Sequence, residues 1–149
     1  MVYVEKTVLV LYSAAQMFNL VDDVENYTAF LPWCGGVDLI ERSESMTSAT
    51  IYIDFHGLKQ KFSTENQKRF PGAMDMKFKD GPFKHFEGNW RFTALSDDAC
   101  KIEFHLEYEF SSAFLSQLIS PVFSHIANTF VDSFVTRADN ILNNKIESF

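Results

Sequence analysis

The chain has 149 residues, 46% hydrophobic and 22% charged, with a formal net charge of −7. This suits one domain with a closed apolar core, and the acidity disfavours DNA or any partner held mainly through phosphates, because such binding draws on Lys and Arg. No apolar run approaches the ~20 residues that span a bilayer, Met1 to Lys6 do not open a secretory leader, and Cys34 and Cys100 read as reduced thiols, so a cytoplasmic protein is expected.

Val2 to Leu11 is β-branched and aliphatic around Glu5, Lys6 and Thr7, which suits a first strand. Ser13-Ala14-Ala15-Gln16 is a capping-box pattern, and Met17, Phe18, Val21 and Val24 follow at helical spacing. Asn26 is the expected stop, with room for one more turn over Tyr27 to Leu31 before Pro32 ends it. The segment Phe30 to Gly36 has two readings. With Pro32 fixing the chain and Gly35-Gly36 freeing it, Phe30, Leu31 and Trp33 form either a gate that dips into a membrane interface or a helix ending packed on the sheet.

Four strands come next, over Val37 to Ser43, Ser48 to His56, Lys59 to Arg69 and Ala73 to Lys79. Polar Glu44 to Thr47, Gly57, Pro71-Gly72 and Asp80-Gly81-Pro82 supply the turns. The expected inner faces are Ala49, Ile51, Ile53 and Phe55, then Phe62, then Met74, Met76 and Phe78. Seven of the thirteen basic residues fall at Lys59, Lys61, Lys68, Arg69, Lys77, Lys79 and Lys84. Outward strand positions account for them, and they also offer a local basic face.

Two strands of clear period 2 follow. Phe86, Gly88, Trp90 and Phe92 share one side of the first, and Cys100, Ile102, Phe104, Leu106, Tyr108 and Phe110 share one side of the second, so one sheet face is buried and the other wet. On the wet side Glu103, Glu107 and Glu109 are expected to pair with Arg91 or Lys101. Residues 113–146 then carry a stripe at steps of three and four that includes Leu118, Ile119, Phe123, Ile126, Ala127, Phe130, Phe134 and Ile141. Ser120-Pro121 suits a helix start, so residues 113–119 read as a separate turn or kinked first segment.

The order is therefore one strand, one or two short helices, six strands and a long helix, with no linker or repeat over residues 1–149. This is an α+β helix-grip architecture, a curved antiparallel sheet of about seven strands around a C-terminal helix. The segments Phe30-Leu-Pro-Trp-Cys34, Asp80-Gly-Pro-Phe83, Gly88-Asn-Trp-Arg-Phe92 and Cys100 to Phe110 resemble those of START-like proteins, in the subgroup of RatA-like ribosome-association toxins and coenzyme Q-binding proteins. That group also carries the label oligoketide cyclase or lipid transport protein.

The resemblance implies a tunnel between sheet and helix for a ubiquinone-like lipid, which would serve respiratory quinone function, with no cofactor required. Its lining is expected from Phe30, Leu31, Pro32, Trp33, Phe62, Met74, Met76, Phe78, Phe83, Phe86, Trp90, Phe104, Phe123, Ile126, Phe130 and Phe134. Sixteen Phe in all is a heavy aromatic load for a core alone. The alternative implied partner is the large ribosomal subunit, through Lys59, Lys61, Lys77 and Lys79, and loading of a lipid implies transient contact at the inner membrane. No catalytic residue is expected, because His56, His85, His105 and His125 form no evident site, and no metal site, because Cys34 and Cys100 lack neighbouring ligands at zinc spacing.

Overall fold

Alternating apolar and polar side chains build this molecule from its sheet outward. The computed structural model describes residues 1–142. In chain order the elements are β1 (Val2–Val10), α1 (Ala14–Asp22), a 3-10 segment (Val24–Ala29), β2 (Cys34–Arg42), β3 (Met46–Phe55), β4 (Leu58–Arg69), β5 (Ala73–Asp80), β6 (Phe83–Ser96), β7 (Ala99–Phe110) and α2 (Ala113–Ile141). The strands form one antiparallel sheet in the order β1-β7-β6-β5-β4-β3-β2, so five hairpins link β2 to β7 and β1 closes the other edge. This is the helix-grip fold that the sequence predicts.

Local chemistry sets the boundaries. Ser13 Oγ accepts from the Gln16 amide at 3.1 Å and the Ser13 amide donates to Gln16 Oε1 at 2.9 Å, completing the capping box of α1. The helix ends at Asp22, not at Asn26, because Asp23 leaves helical geometry at ψ 63°, and Val24 starts the 3-10 segment instead. His56 and Gly57, at φ 50° and 81°, make the tight β3–β4 reversal that needs left-handed backbone.

The long helix differs from expectation at its start. Residues 113–119 are continuous with the rest, capped by Ser112, whose Oγ accepts from the Leu115 amide at 3.1 Å. Pro121 sits inside α2 on its exposed side, where water can hydrate the carbonyl one turn back that the proline ring leaves without a donor. The buried stripe is Ile119, Phe123, Ile126, Ala127, Val131, Phe134 and Ala138, narrower than the sequence pattern, with Leu118 and Ile141 left exposed. The expected end at Ile146 lies outside the described residues.

Two bonds pin the helix to β1 and its exit. Lys6 Nζ meets Asp132 at 3.3 Å, and Tyr12 Oη donates to Asp139 Oδ1 at 2.5 Å. Burial and that carboxylate push the Tyr12 hydroxyl up to about 12.

One polar knot lies inside the fold, where Asp22 ends α1. Its Oδ1 accepts from Thr47 Oγ1 at 2.6 Å and its Oδ2 from Lys68 Nζ at 3.0 Å, the Lys68 side chain being only 5% exposed. Arg42 joins from β2, donating to the Asp22 carbonyl at 2.8 Å and gripping both Glu25 oxygens at 2.7 and 2.6 Å. Lys68 thus leaves the basic surface stretch to which the sequence assigned it, because its alternation on β4 points inward.

Removing Asp22 alone strands a buried ammonium, a change that costs about 3–5 kcal/mol. Asp22→Ala is expected to lower the urea midpoint sharply, and adding Lys68→Met to it is expected to recover most of the loss. A double variant no more stable than Asp22→Ala would show that Lys68 is not what the knot neutralises.

Candidate functional site

The inner sheet face and α2 do not close completely. A cavity of about 60 Å³ remains between β3–β7, α2 and the α1-to-β2 connection. Nine of the expected ligand residues line it: Trp33, Phe62, Met76, Phe86, Trp90, Phe104, Phe123, Ile126 and Phe130. The remaining wall comes from Val21, Val24, Tyr27, Ala49, Ile51, Thr64, Asn66, Leu106 and Ala127.

Seven expected residues are not on this wall. Leu31 and Met74 are buried in the core, at 1% and 0% exposure, while Pro32 is exposed. Phe30 packs edge-on against Tyr27 and Phe134. Phe134 stands behind Trp90, with ring centres 5.5 Å apart. Phe83 is the hub of an aromatic knot with Phe78, Phe86, Phe110 and Phe123 at 5.0–5.8 Å, which fills one end of the core. A second knot, Trp90 with Phe104, Phe130 and Phe134, fills the other.

The gate reading of Phe30 to Gly36 is also corrected. Trp33 is 3% exposed, its carbonyl accepts from the Asp54 amide at 2.9 Å, and the Leu31 carbonyl accepts from Cys34 at 3.0 Å. The segment is a helix ending packed on the sheet, because turning Leu31 and Trp33 inward buries more apolar surface than leaving them wet.

An apolar cavity of about 150 Å³ takes benzene, and a water needs about 10–15 Å³ of such space. The gap as it stands therefore admits a few waters, not a six-membered ring, and is a small cavity in place of the expected tunnel. Its wall is almost wholly apolar. Tyr27 is the one titratable residue on it; its hydroxyl donates to the Val21 carbonyl, and burial pushes that hydroxyl well above its ordinary range. Two wall residues carry buried polar atoms without a partner among the described residues, Trp33 Nε1 and Asn66 Oδ1. Each such group costs about 1–3 kcal/mol. Thr64 and Asn66 gave no signal in the sequence, since β4 after Phe62 is polar on both faces.

The outer sheet face is ordinary in composition and specific in pairing. Arg91 does not pair with Glu103 opposite it but with Asp75 at 2.8 Å, and Arg69 reaches the same carboxylate at 3.2 Å. Glu109 takes Lys84 at 3.4 Å and the N-terminal ammonium at 3.6 Å. The strand register sets Glu87 opposite Glu107, with His85 Nε2 at 3.3 Å and His105 Nε2 at 3.7 Å from the Glu107 oxygens. His85, Glu87 and Glu107 thus bring ligand-type atoms within 4.8 Å of one another. Pairing across strands creates it, so sequence spacing does not reveal it. Lys59, Lys61, Lys77 and Lys79 are all exposed and none is ion-paired among the described residues.

Residues 10–135 match the family model described as polyketide cyclase / dehydrase and lipid transport. The chain belongs to that family. It is 38% identical over 138 residues to the ribosome association toxin RatA of Escherichia coli K12, covering 93% of this chain and 87% of that one. It is 31% identical over 134 residues to the coenzyme Q-binding protein COQ10 homolog B, mitochondrial, of Xenopus laevis, covering 87% of this chain and 55% of that one. A START superfamily protein from Mycobacterium smegmatis shares the fold at TM-score 0.73 and 19% identity, covering 93% of this chain and 98% of that one. Within the family the chain groups with the RatA proteins, which it matches over most of their length. No helix of the described residues is long and apolar enough to cross a membrane.

The outer ion pairs predict an acid response. Burial pushes the Asp75 carboxyl up, but Arg91 and Arg69 more than offset it and hold it below its usual range. The His85 contact lowers Glu107, Lys84 lowers Glu109 and the Arg42 grip lowers Glu25. Groups depressed on folding stabilise fully above their unfolded values and lose that contribution as pH falls. The urea midpoint, followed by Trp33 and Trp90 fluorescence, is expected to drop below about pH 4. Asp75→Asn should make the drop shallower; an unchanged slope would remove Asp75 from the account.

Proposed function

We propose that the protein binds a ring-bearing apolar lipid, a prenylated quinone of the ubiquinone class, between the sheet and α2. The observation that supports this is the aromatic cavity wall shared by Trp33, Trp90, Phe104 and Phe130, next to unpaired polar atoms. The name of the COQ10 relative points to the same ligand class. At about 0.8 kcal/mol per buried CH₂, each five-carbon prenyl unit gains roughly 4 kcal/mol on leaving water. That gain offsets moving the partly buried wall residues Phe62, Met76 and Phe130 to admit a ring. Binding, not catalysis, fits a wall whose one titratable group is a tyrosine held neutral. Organic extraction of protein purified from its native host, read by mass spectrometry, is expected to yield a prenylated quinone in near-stoichiometric amount. Protein that carries no lipid and takes up none in titration would overturn this reading.

A second reading is association with the large ribosomal subunit. It is favoured by the RatA relative and by the four unpaired lysines on the outer face of β4 and β5. Acidic neighbours temper the patch, since Lys59 lies opposite Asp54 and Lys77 opposite both Glu65 and Glu87. In a sucrose gradient the protein is expected to travel with large subunits, and K59E/K61E/K77E/K79E to remain at the top. Unaltered protein that stays at the top ends this reading. The two activities would use opposite faces of one sheet, so one does not exclude the other.

A further inference from the structure

The outer sheet face carries a cluster of side chains that neither reading above uses, on the side of the sheet away from the cavity. His85 and Glu87 stand two residues apart on β6, so both leave the same face, and the register sets Glu87 directly opposite Glu107 of β7. Facing residues of antiparallel strands hold their Cβ atoms about 4.5–5.5 Å apart, and like charges at that spacing oppose the pairing of the strands. His85 Nε2 lies 3.3 Å from Glu107 Oε1, and one ligand-type atom of each of the three residues lies within 4.8 Å of the other two. His85 and Glu107 are partly buried and Glu87 is exposed, so the three atoms meet where solvent reaches them.

The neighbouring cations are committed elsewhere. Among the described residues Lys84 is taken by Glu109, Lys101 by Glu103 and Arg91 by Asp75. The partners of Glu107 within 4.0 Å are two imidazoles, because His105 Nε2 lies 3.7 Å from its second oxygen. His105 is itself anchored through Nδ1, which lies 3.2 Å from Glu5 Oε1 on β1. Glu107 is thus held from both sides, Oε1 turned to His85 and Oε2 to His105. An outer partner that fixes the orientation of a carboxylate is the support that metal ligands require.

We propose that His85, Glu87 and Glu107 form a binding site for a zinc-class divalent transition ion that ties β6 to β7 on the outer face. Bonds of about 2.0–2.1 Å to a tetrahedral ion place two ligand atoms roughly 3.4 Å apart, the spacing at which His85 Nε2 and Glu107 Oε1 already stand. Glu87 completes the set by rotation of its exposed side chain, with no movement of the strand. The imidazole selects against magnesium and calcium, which take oxygen ligands. Two carboxylates neutralise the dication, one position stays open to water, and the repulsion between Glu87 and Glu107 is removed.

The test is a calorimetric titration of the untagged full chain, first stripped with chelator, with zinc chloride and separately with calcium chloride. Zinc is expected to bind one-to-one and to raise the urea midpoint, and calcium to do neither. His105→Ala is expected to weaken zinc binding about tenfold, the usual cost of losing an outer partner, and His85→Ala and Glu107→Gln by more, while His56→Ala and His125→Ala leave it unchanged. Should a variant not fold, cobalt(II) added to the unaltered chain locates the ion: paramagnetic shifts are expected at the ring protons of His85 and His105. Shifts at His56 or His125 instead, zinc binding that His85→Ala and Glu107→Gln leave intact, or no zinc binding by the unaltered chain would each overturn the site. Calcium bound as tightly as zinc would overturn the assignment to a transition ion.

Discussion

A seven-stranded antiparallel sheet with one apolar face is unstable in water until that face is covered, and here α2 does most of the covering. Laid flat, seven strands at about 4.8 Å spacing span roughly 29 Å, while one helix with its side chains is about 10–12 Å across. The mismatch governs the rest of the architecture. The sheet must curl towards the helix, α1 and the 3-10 segment must plug the side that α2 does not reach, and any residual misfit appears as space under the helix. Val21, Val24 and Tyr27 on one side and Phe123, Ile126 and Phe130 on the other meet at the boundary between the two covers, which is where the cavity lies.

The strands and the helix were legible because their hydrophobic periods are clean. Cys100 to Phe110 alternates without a break and every inner residue is buried. Nine of the sixteen expected ligand residues reach the cavity for the same reason, since inward alternation selects the correct face without selecting the correct end of it. What escaped is also physical in origin. β4 carries Thr64, Asn66 and Lys68 inward, so polarity there marks buried positions instead of solvent, and no single-sequence pattern separates the two. Trp33 could be placed on either side because a loop residue has no period, and the His85, Glu87 and Glu107 grouping depends on register. Pro121 suggested a boundary on local grounds, yet the buried stripe on both sides of it keeps the helix whole.

The sheet divides its chemistry by face. Inside, charge is confined to the Asp22 and Lys68 knot at one end, where two carboxylate oxygens and two donors settle each other, so the aromatic cavity beside it stays neutral. Outside, acidic residues from β5, β6 and β7 are matched by arginine, lysine and histidine across strands, and four lysines of β4 and β5 are left over. An apolar ligand and a polyanionic partner make contrary demands on a protein surface. A sheet with period-2 alternation can meet both at once, because neighbouring residues of a single strand, such as Met76 and Lys77, serve opposite faces.

Admitting a ring into about 60 Å³ requires that some of the wall give way, and the structure indicates which part gives most easily. The aromatic knots at either end are interlocked, each ring bearing on several others, so displacing one disturbs all. Met76 is different. It lies opposite Gly88 across β5 and β6, and its Cε occupies the place that a side chain at residue 88 would take; a Cβ there would also meet His105 O at 3.2 Å and Leu106 Cδ1 at 3.3 Å. The missing Cβ at Gly88 thus gives an unbranched thioether, the most adaptable of apolar side chains, a bed along the sheet floor. Rotation about its own bonds changes how much of the cavity Met76 fills without moving any strand. Gly88, on the inner side of β6, is thus what makes the floor of the cavity adjustable.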